Sequence, residues 1–189
     1  VIVRGKVREV TGLIVRASVP DVAVGDLVRI LSRNGQVKLA EVVGFKDGVG
    51  DLDLTSRIVR RLRDALGDKE FQFFNGLPTA EVSQQAFRSI GVTLYSSAAF
   101  AFAPDISLAY YSALEEGQIE LVDALNREFF HPLVRLRDTT PGYAVALVKA
   151  GVTFGGIDAG SVRAPLVDVS DAHRFELEQI IAAGRKVLA

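Results

Sequence analysis

Lys46 is the residue of this sequence best placed for covalent chemistry, because a mostly apolar run leads up to it and a turn follows it. The run LAEVVGF, residues 39–45, is typical of a buried strand, and Asp47-Gly48 is a turn-forming pair. A lysine at the inner end of such a strand would lose solvent, which lowers the pKa of its amine toward that of a reactive nucleophile. The alternative is a solvated lysine beside a turn, and the local pattern leaves both interpretations open.

The elements that must position Lys46 come in two styles of sequence, which meet near this residue. Over residues 1–45, short apolar runs alternate with turn signals, among them Asn34-Gly35, a pair that favours a two-residue hairpin because both residues tolerate positive φ. This part predicts a small antiparallel β-sheet or barrel. From Asp51 to Gly67 the apolar residues follow the helical period instead, with Asp51 as N-cap and Gly67 as the C-terminal stop.

The segments that follow alternate between strand and helix patterns. Strands are predicted over residues 71–74 and 92–96, and helices over residues 79–90 and 105–116. Such alternation with short loops is typical of parallel βαβ units, so we expect an α/β fold. Beyond Gly117 the patterns are helical only, which predicts a C-terminal helical segment.

Composition argues against several classes of function. The 22 Lys and Arg residues balance 23 Asp and Glu residues, so no basic surface supports a nucleic-acid partner. The chain has no cysteine and only two histidines, His131 and His173, which lie far apart in sequence, so a metal site is not expected. No apolar stretch is long enough to span a bilayer and no signal-peptide pattern opens the sequence, so we expect a cytoplasmic protein without a membrane partner.

A long stretch of the sequence resembles a known family of lyases. Its segments VVGFKDGVGDL, FFNGLPTAEVSQQAFRSIGVTLYSSAAFAFAPDISLAYYSALEEG and PGYAVALVKAGVTFGGIDAGSVRAPLVD are similar to the C-terminal portion of 5-dehydro-4-deoxyglucarate dehydratases, in the dihydrodipicolinate synthase and N-acetylneuraminate lyase superfamily. The resemblance covers about residues 41–189. It implies a partial (β/α)8 (TIM) barrel with C-terminal helices, in which residues 41–46, 71–74 and 92–96 are the sixth, seventh and eighth strands.

The resemblance also implies roles for individual residues. Lys46 takes the position of the Schiff-base lysine, which condenses with the keto group of a small keto-acid substrate, and no cofactor is implied. The iminium then acts as an electron sink while water and carbon dioxide are lost. Asn75, Gly76 and Ser97 lie at or just after the next two strand ends, where a barrel would present them to the same pocket, so we predict that they bind substrate.

The resemblance is incomplete in a way that bears on activity. Members of the family take a proton-shuttling tyrosine from the fifth strand and carboxylate-binding groups from the loop after the second, and neither strand is recognisable in this sequence. The four tyrosines of the chain all lie in the matched C-terminal elements. Lys46 would therefore be a nucleophile without its acid/base partner.

The first part of the chain resembles a different family. The segments GKVREVTGLIVRASVPDVAVGDLVRI and AEVVGFKDG are similar to the N-terminal β-barrel of flagellar and type III secretion ATPases, a resemblance over about residues 1–48. No GxxxxGK[ST] loop occurs in the sequence, so ATP binding is not expected. Because EVVGFKDG, residues 41–48, fits both families, the sequence predicts a recombined or engineered chimera joined between about residues 39 and 48.

These observations predict three segments: a small β-segment over residues 1–45, βα units of a partial barrel over 46–117, and the helical segment over 118–189. The first functional hypothesis is a chimeric domain derived from a Schiff-base lyase, without full catalytic activity, that forms a homo-oligomer to cover the edge of its incomplete barrel. The second is an active dehydratase and decarboxylase that converts 5-dehydro-4-deoxyglucarate to 2,5-dioxopentanoate. The third is an oligomerisation or docking module of the secretion-ATPase type.

Overall fold

The computed structural model of the chain describes residues 6–11, 14–18, 27–31, 35–41, 44–66 and 71–189. Within these residues, helices begin after the fifth strand and alternate with the last two strands. The strands are β1 (Lys6–Thr11), β2 (Ile14–Ser18), β3 (Leu27–Leu31), β4 (Val37–Glu41), β5 (Gly44–Asp47), β6 (Gln72–Asn75) and β7 (Leu94–Tyr95). The α-helices are α1 (Leu52–Leu66), α2 (Glu81–Ser89), α3 (Pro104–Glu116), α4 (Ile119–Leu125), α5 (His131–Arg137), α6 (Tyr143–Phe154) and α7 (Asp171–Val187).

The first four strands form two antiparallel pairs, β1 with β2 and β3 with β4. In the second pair Leu31 lies opposite Val37, which leaves five residues, 32–36, between the two strands. The two-residue turn predicted at Asn34-Gly35 is therefore wrong in length, and Asn34 itself lies outside the described residues. Gly35 has φ of 77°, the left-handed conformation expected of a turn glycine.

A separate parallel sheet contains β5, β6 and β7 in that order. The parallel pairing predicted between the first two of these strands is confirmed, with Lys46 opposite Phe74. The single strand predicted over residues 41–46 is wrong, because Glu41 belongs to β4 and pairs antiparallel with Leu27. Lys46 thus lies one residue before the end of a strand of four residues, and the boundary predicted between residues 45 and 46 falls inside that strand.

The two faces of the parallel sheet differ in burial. Because side chains alternate along a strand, Asp47, Phe73 and Asn75 share one face, and Lys46 and Phe74 share the other. Asp47 and Phe73 are each 4% exposed and Asn75 is 0% exposed. Lys46 is exposed and Phe74 is half-buried. In a closed barrel of the kind that the resemblance implies, the face that carries Lys46 would be the interior.

Helices α1 and α2 cover the buried face of this sheet. Val59 of α1 and Phe87 of α2 pack with Phe73 in one apolar cluster. The N-cap predicted at Asp51 is confirmed, because its carboxylate accepts a hydrogen bond of 2.9 Å from the backbone N–H of Leu54. The helix predicted to begin at Thr79 begins at Glu81 instead, since Thr79 adopts φ of 51° and cannot continue a right-handed helix.

The larger apolar core lies in the C-terminal helices. Ile106 and Tyr110 of α3, the aromatic pair Phe129-Phe130 and Leu177 of α7 are each 0% exposed within one cluster. The aromatic pair ends a π-helical turn, Asn126–Phe130, which joins α4 directly to α5. Helix α3 ends at Gly117, whose φ is 72°. Helix α3 and the later helices share one core, which extends across the segment boundary predicted after residue 117.

Candidate active site

The side chain of Lys46 lies across the backbone of Gly76, which follows β6. The backbone N–H of Gly76 donates a hydrogen bond of 2.6 Å to the carbonyl oxygen of Asp47 and so joins the ends of the two strands. A β-carbon at Gly76 would come within 2.6 Å of Cε and 2.7 Å of Cγ of Lys46. Only glycine at this position leaves space for the lysine to pass. The structure therefore brings together two of the four predicted site residues.

Asp47 holds the loop that follows Lys46. Its carboxylate accepts hydrogen bonds from the backbone N–H of Val49 at 2.9 Å and of Gly50 at 3.1 Å. These bonds form a turn of the kind in which an aspartate bonds the backbone just ahead of it. The Asp-Gly pair predicts this turn. What the sequence did not indicate is that the Asp47 side chain is buried on the face opposite Lys46, where it fixes the end of the strand.

The desolvation expected for Lys46 is not provided by the described residues. The side chain is exposed, because it extends from the face that a complete barrel would enclose. Lys46 shares its face of the sheet with the half-buried Phe74, and its inward position stays a prediction. The prediction of a dry environment is wrong for this chain as it stands, because the three parallel strands enclose only part of a barrel.

Asn75 stabilises the fold through hydrogen bonds and does not lie beside Lys46. Its amide nitrogen donates hydrogen bonds to the Ala80 carbonyl at 3.2 Å, the Ser83 hydroxyl at 3.0 Å and the Gln84 side-chain oxygen at 3.2 Å. Its amide oxygen accepts a bond of 3.1 Å from the backbone N–H of Leu77. The substrate-binding role predicted for Asn75 is thus corrected: the side chain lies on the face opposite Lys46 and fastens the loop after β6 to α2.

Ser97 lies just beyond the end of β7. Its hydroxyl accepts a hydrogen bond of 3.1 Å from the backbone N–H of Phe100 and lies 3.4 Å from the hydroxyl of Ser107 on α3. The side chain is half-buried. This position, past the strand end that neighbours β6, keeps Ser97 at the edge of the sheet where Lys46 lies, as predicted. Its contact with substrate stays a prediction.

Glu81 is a residue of this edge that sequence reasoning missed. It is the first residue of α2 and is 0% exposed, and burial raises the pKa of its carboxyl above the usual value. The hydroxyl of Ser97 is close enough to oppose that rise in part. A glutamate in the first turn of a helix is ordinarily an exposed charge that interacts favourably with the helix dipole. Tertiary packing buries it instead: α2 packs against the π-helical turn Asn126–Phe130, and Tyr110 of α3 donates a hydrogen bond to the Glu81 carbonyl.

Arg137 holds the loop between β6 and α2 from the far side. Its guanidinium donates hydrogen bonds of 3.0 Å to the carbonyl oxygen of Pro78 and of 3.0 Å to the hydroxyl of Thr79. Thr79 is the residue with positive φ, a conformation that costs about 1–2 kcal/mol for a side chain of this kind. The arginine comes from the end of α5, far away in sequence. The loop that carries Gly76 is therefore fixed at one end by Asp47 and at the other by Arg137.

Within the described ranges, the chain offers no cluster of three or more histidine, aspartate or glutamate side chains that could hold a metal ion. No helix in the same ranges has both the length and the apolar composition needed to cross a bilayer.

Comparison with known proteins identifies the class of fold to which this site belongs. A crystal structure of dihydrodipicolinate synthase from Oceanobacillus iheyensis matches with a TM-score of 0.65 and 25% identity, over 77% of this chain and 47% of that one. A dihydrodipicolinate synthase from Bacillus clausii matches with a TM-score of 0.65 and 21% identity, over 78% of this chain and 48% of that one. The described parallel strands and helices therefore form a partial α/β barrel.

The family follows from the sequence matches. The model of the dihydrodipicolinate synthetase family matches residues 20–184. A Streptomyces griseus protein named as a probable 5-dehydro-4-deoxyglucarate dehydratase is 57% identical over 148 residues, which cover 78% of this chain and 46% of that protein. A Streptomyces coelicolor protein of the same description is 53% identical over 144 residues, which cover 76% of this chain and 46% of that protein. The chain belongs to the dihydrodipicolinate synthetase family, and it spans about half the length of the curated relatives it matches.

Proposed function

We propose that Lys46 is the Schiff-base lysine of a 5-dehydro-4-deoxyglucarate dehydratase, of which this chain supplies the C-terminal half of the barrel. The observation that carries this proposal is the position of Lys46: at the carboxyl end of a parallel strand, across Gly76, in a chain 57% identical to a protein of that name. Active sites of α/β barrels lie at the carboxyl ends of the strands. The substrate is a six-carbon keto diacid.

The reaction proceeds through covalent attachment. The free amine of Lys46 attacks the keto carbon, and loss of one water gives an imine whose protonated form withdraws electrons. That electron sink allows a proton to leave the neighbouring carbon and hydroxide to leave further along the chain, after which the distal carboxylate departs as carbon dioxide. Hydrolysis of the imine returns the lysine. The balance is one keto diacid to 2,5-dioxopentanoate, one water and one carbon dioxide.

Imine formation and turnover make different demands on this chain. Imine formation needs an amine and a carbonyl within reach. Turnover also needs a positioned acid/base, a contribution of about 10²- to 10⁴-fold in rate, and the family takes that group from the half of the barrel outside the present resemblance. We therefore propose that the chain by itself forms the imine and does not turn over. Full dehydratase activity is the alternative, and it requires a second chain to complete the barrel.

Borohydride trapping tests this proposal. Pyruvate and sodium borohydride should label Lys46 in preference to Lys38 and Lys149, as measured by peptide mass spectrometry, while production of 2,5-dioxopentanoate stays at background. Lys46→Arg retains the charge and should abolish the label. Equal labelling of all lysines would indicate that Lys46 is only a solvated residue beside a turn. Robust product formation, lost in Lys46→Arg, would instead favour the complete enzyme.

We also propose that the chain forms a homo-oligomer. The observation in favour is the apolar surface of the β3–β4 hairpin, where Leu31, Val37 and Leu39 are 73%, 55% and 71% exposed. Apolar side chains clustered at this level of exposure favour an interface. Sedimentation velocity should give a mass above that of one chain. A monomer at micromolar concentration, with Leu39→Lys behaving identically, would contradict this part of the proposal.

The origin of residues 1–45 is a further part of the proposal. We infer that this segment is joined to the lyase portion, as a docking module of the kind found in secretion ATPases, and that the product is a cytoplasmic chimera without ATP binding. The resemblance of residues 1–48 supports this inference, whereas the family model reaches back to residue 20 and argues for a shorter joined segment. Hydrogen exchange tests it: a joined module should open independently of α2 and α3. Exchange of both parts in one cooperative unit would contradict the inference.

A further inference from the structure

The hydroxyl group of Tyr143 joins helices α6 and α7. Tyr143 is the first residue of α6, and it is only 3% exposed. Its hydroxyl oxygen lies 2.9 Å from Nδ1 of His173 and accepts a hydrogen bond of 3.2 Å from the backbone N–H of Ser170. Ser170 is the N-cap of α7, and its own hydroxyl accepts the backbone N–H of His173 at 3.3 Å. One buried phenol therefore bonds both the cap and the first turn of α7.

The donors and acceptors of this cluster assign the proton on the imidazole. A phenol has one proton to donate. The oxygen of Tyr143 already accepts from Ser170, and the acceptor that the described residues offer to its proton is Nδ1 of His173. Both groups are satisfied when Tyr143 donates to an unprotonated Nδ1 and the imidazole carries its proton on Nε2. The arrangement therefore favours a neutral His173.

Protonation of His173 would break this arrangement. An imidazolium carries a proton on both nitrogens, so Nδ1 would become a donor and the buried phenol proton would lose its acceptor. A buried donor without a partner costs free energy, because it has lost its water as well. A positive charge in the first turn of a helix is also disfavoured by the helix dipole. Histidine side chains take up a proton as the pH falls through about 6.5, so both effects weaken the contact in acid.

Among the described residues, the imidazole forms its hydrogen bond with the phenol and has no ion pair. On α7, the exposed Glu176 lies one turn beyond the imidazole and is the carboxylate placed to attract an imidazolium. Arg174 lies instead over the ring of Phe154, with its guanidinium carbon 5.7 Å from the ring centroid. Asp168 and Lys149 are bonded to backbone groups. The other ionisable side chains near the cap or on α4 and α5, which pack against α7, are Asp171, Glu120, Asp123, His131, Arg135 and Arg137.

We propose that the contact between Tyr143 and His173 is an acid-sensitive latch, in which the neutral histidine holds the first turn of α7 against the start of α6 and protonation releases it. The rest of α7 stays in place, because Leu177 is 0% exposed in the core that α7 shares with α3 and the π-helical turn. The loop after β6 is held by Arg137 and by neither residue of the latch. The inference therefore goes beyond the proposed function and does not depend on it.

Hydrogen exchange of the intact chain tests the latch at about pH 8 and about pH 5.5, on either side of the usual titration of histidine. After correction for the intrinsic effect of pH, the amides of residues 170–174 should lose about 5- to 10-fold in protection in acid, the effect of one lost hydrogen bond. Residues 177–184 and 76–80 should be unchanged. His173→Asn retains an acceptor near the position of Nδ1 and cannot titrate, so it should show no change with pH. His131→Gln alters the other, exposed histidine and should retain the full change.

Nitrogen NMR of the His173 ring gives an independent test that needs no variant. At about pH 8 the spectrum should show a protonated Nε2 and an unprotonated Nδ1, the tautomer that accepts from Tyr143. The opposite tautomer would overturn the inference, because Nδ1 would already be a donor. Exchange that does not change with pH in the wild type, or an equal change in His173→Asn, would overturn it as well. A failure of borohydride trapping at Lys46 would contradict the proposed function and leave this inference unaffected.

Discussion

Lys46 and Gly76 are complementary in shape: the stem of the lysine occupies the space in which any other residue at position 76 would carry its β-carbon. That β-carbon would lie 2.6 Å from Cε of Lys46 and 2.5 Å from the backbone oxygen of Asp47. Real β-carbons do not approach other atoms so closely. The direction of the nucleophile is therefore set by the absence of a side chain on the neighbouring strand.

Gly76→Ala should displace Lys46 and reduce imine formation. Part of the clash is with backbone, which cannot rotate away, so we expect a destabilisation of about 1–3 kcal/mol, typical of overpacking. Borohydride trapping with pyruvate should fall in parallel. The control is Gly48→Ala, because a β-carbon at Gly48 would meet no atom within 4 Å. Equal trapping in the two variants would show that Gly76 does not direct the lysine.

Glu81→Gln should change how stability depends on pH. In the folded chain the pKa of Glu81 is raised, so the folded state retains a proton that the unfolded state has already lost. The stability linked to this proton is fully present below the pKa of the unfolded chain and is lost as the pH rises through the folded pKa. The variant should therefore gain stability over the wild type as the pH increases, measured by thermal unfolding.

The exposed Glu178 of α7 provides the control for that measurement. Glu178→Gln should show no such gain, because its side chain is in solvent in both states. A pH-independent difference between Glu81→Gln and the wild type would mean that folding does not raise the pKa of Glu81.

Asn75→Ala should destabilise the fold more than it affects binding. The substitution removes four hydrogen bonds and leaves the buried side-chain oxygen of Gln84 without the amide donor of Asn75, while the Ala80 carbonyl retains its bond from the backbone N–H of Ser83. We expect a loss of about 2–4 kcal/mol in the free energy of unfolding, measured in urea. The exposed neighbour Gln72 on the same strand provides the control, and Gln72→Ala should be nearly neutral. A similar effect of the two substitutions would contradict the structural role of Asn75.

Arg137→Ala should loosen the loop that carries Gly76. Hydrogen bonds from a charged donor are worth about 1.5–3 kcal/mol, and two such bonds, to Pro78 and Thr79, are lost. We expect lower stability and faster hydrogen exchange in residues 76–80. Arg127→Ala removes only an exposed pairing with the adjacent Glu128 and should have little effect. Unchanged exchange in the loop would indicate that Thr79 maintains its conformation without the arginine.

Much of the local structure could be predicted from the sequence. The change from strand to helix period near Asp51 and the N-cap itself follow from residue type and spacing, because these features depend on neighbours within a few positions. The parallel pairing of the segments around Lys46 and Phe74 follows from the alternation of strand and helix patterns. The family of the chain follows likewise from its longest matching segments. The loop length of the β3–β4 hairpin does not follow, because the register of an antiparallel pair depends on how the whole strands pack.

Tertiary structure decided the functions of the polar residues. From the sequence, Asn75 and Ser97 look equivalent, since each lies near a strand end, yet alternation of side chains directs Asn75 into the helix layer while Ser97 stays at the sheet edge. Glu81 looks like an exposed helix-cap charge and is instead buried, in a helix that packs against the π-helical turn Asn126–Phe130. Which face of a strand or helix is covered depends on contacts between segments distant in sequence, and no local pattern records them. The exposure of Lys46 has the same cause, since a strand of four residues carries no information about how much of the barrel surrounds it.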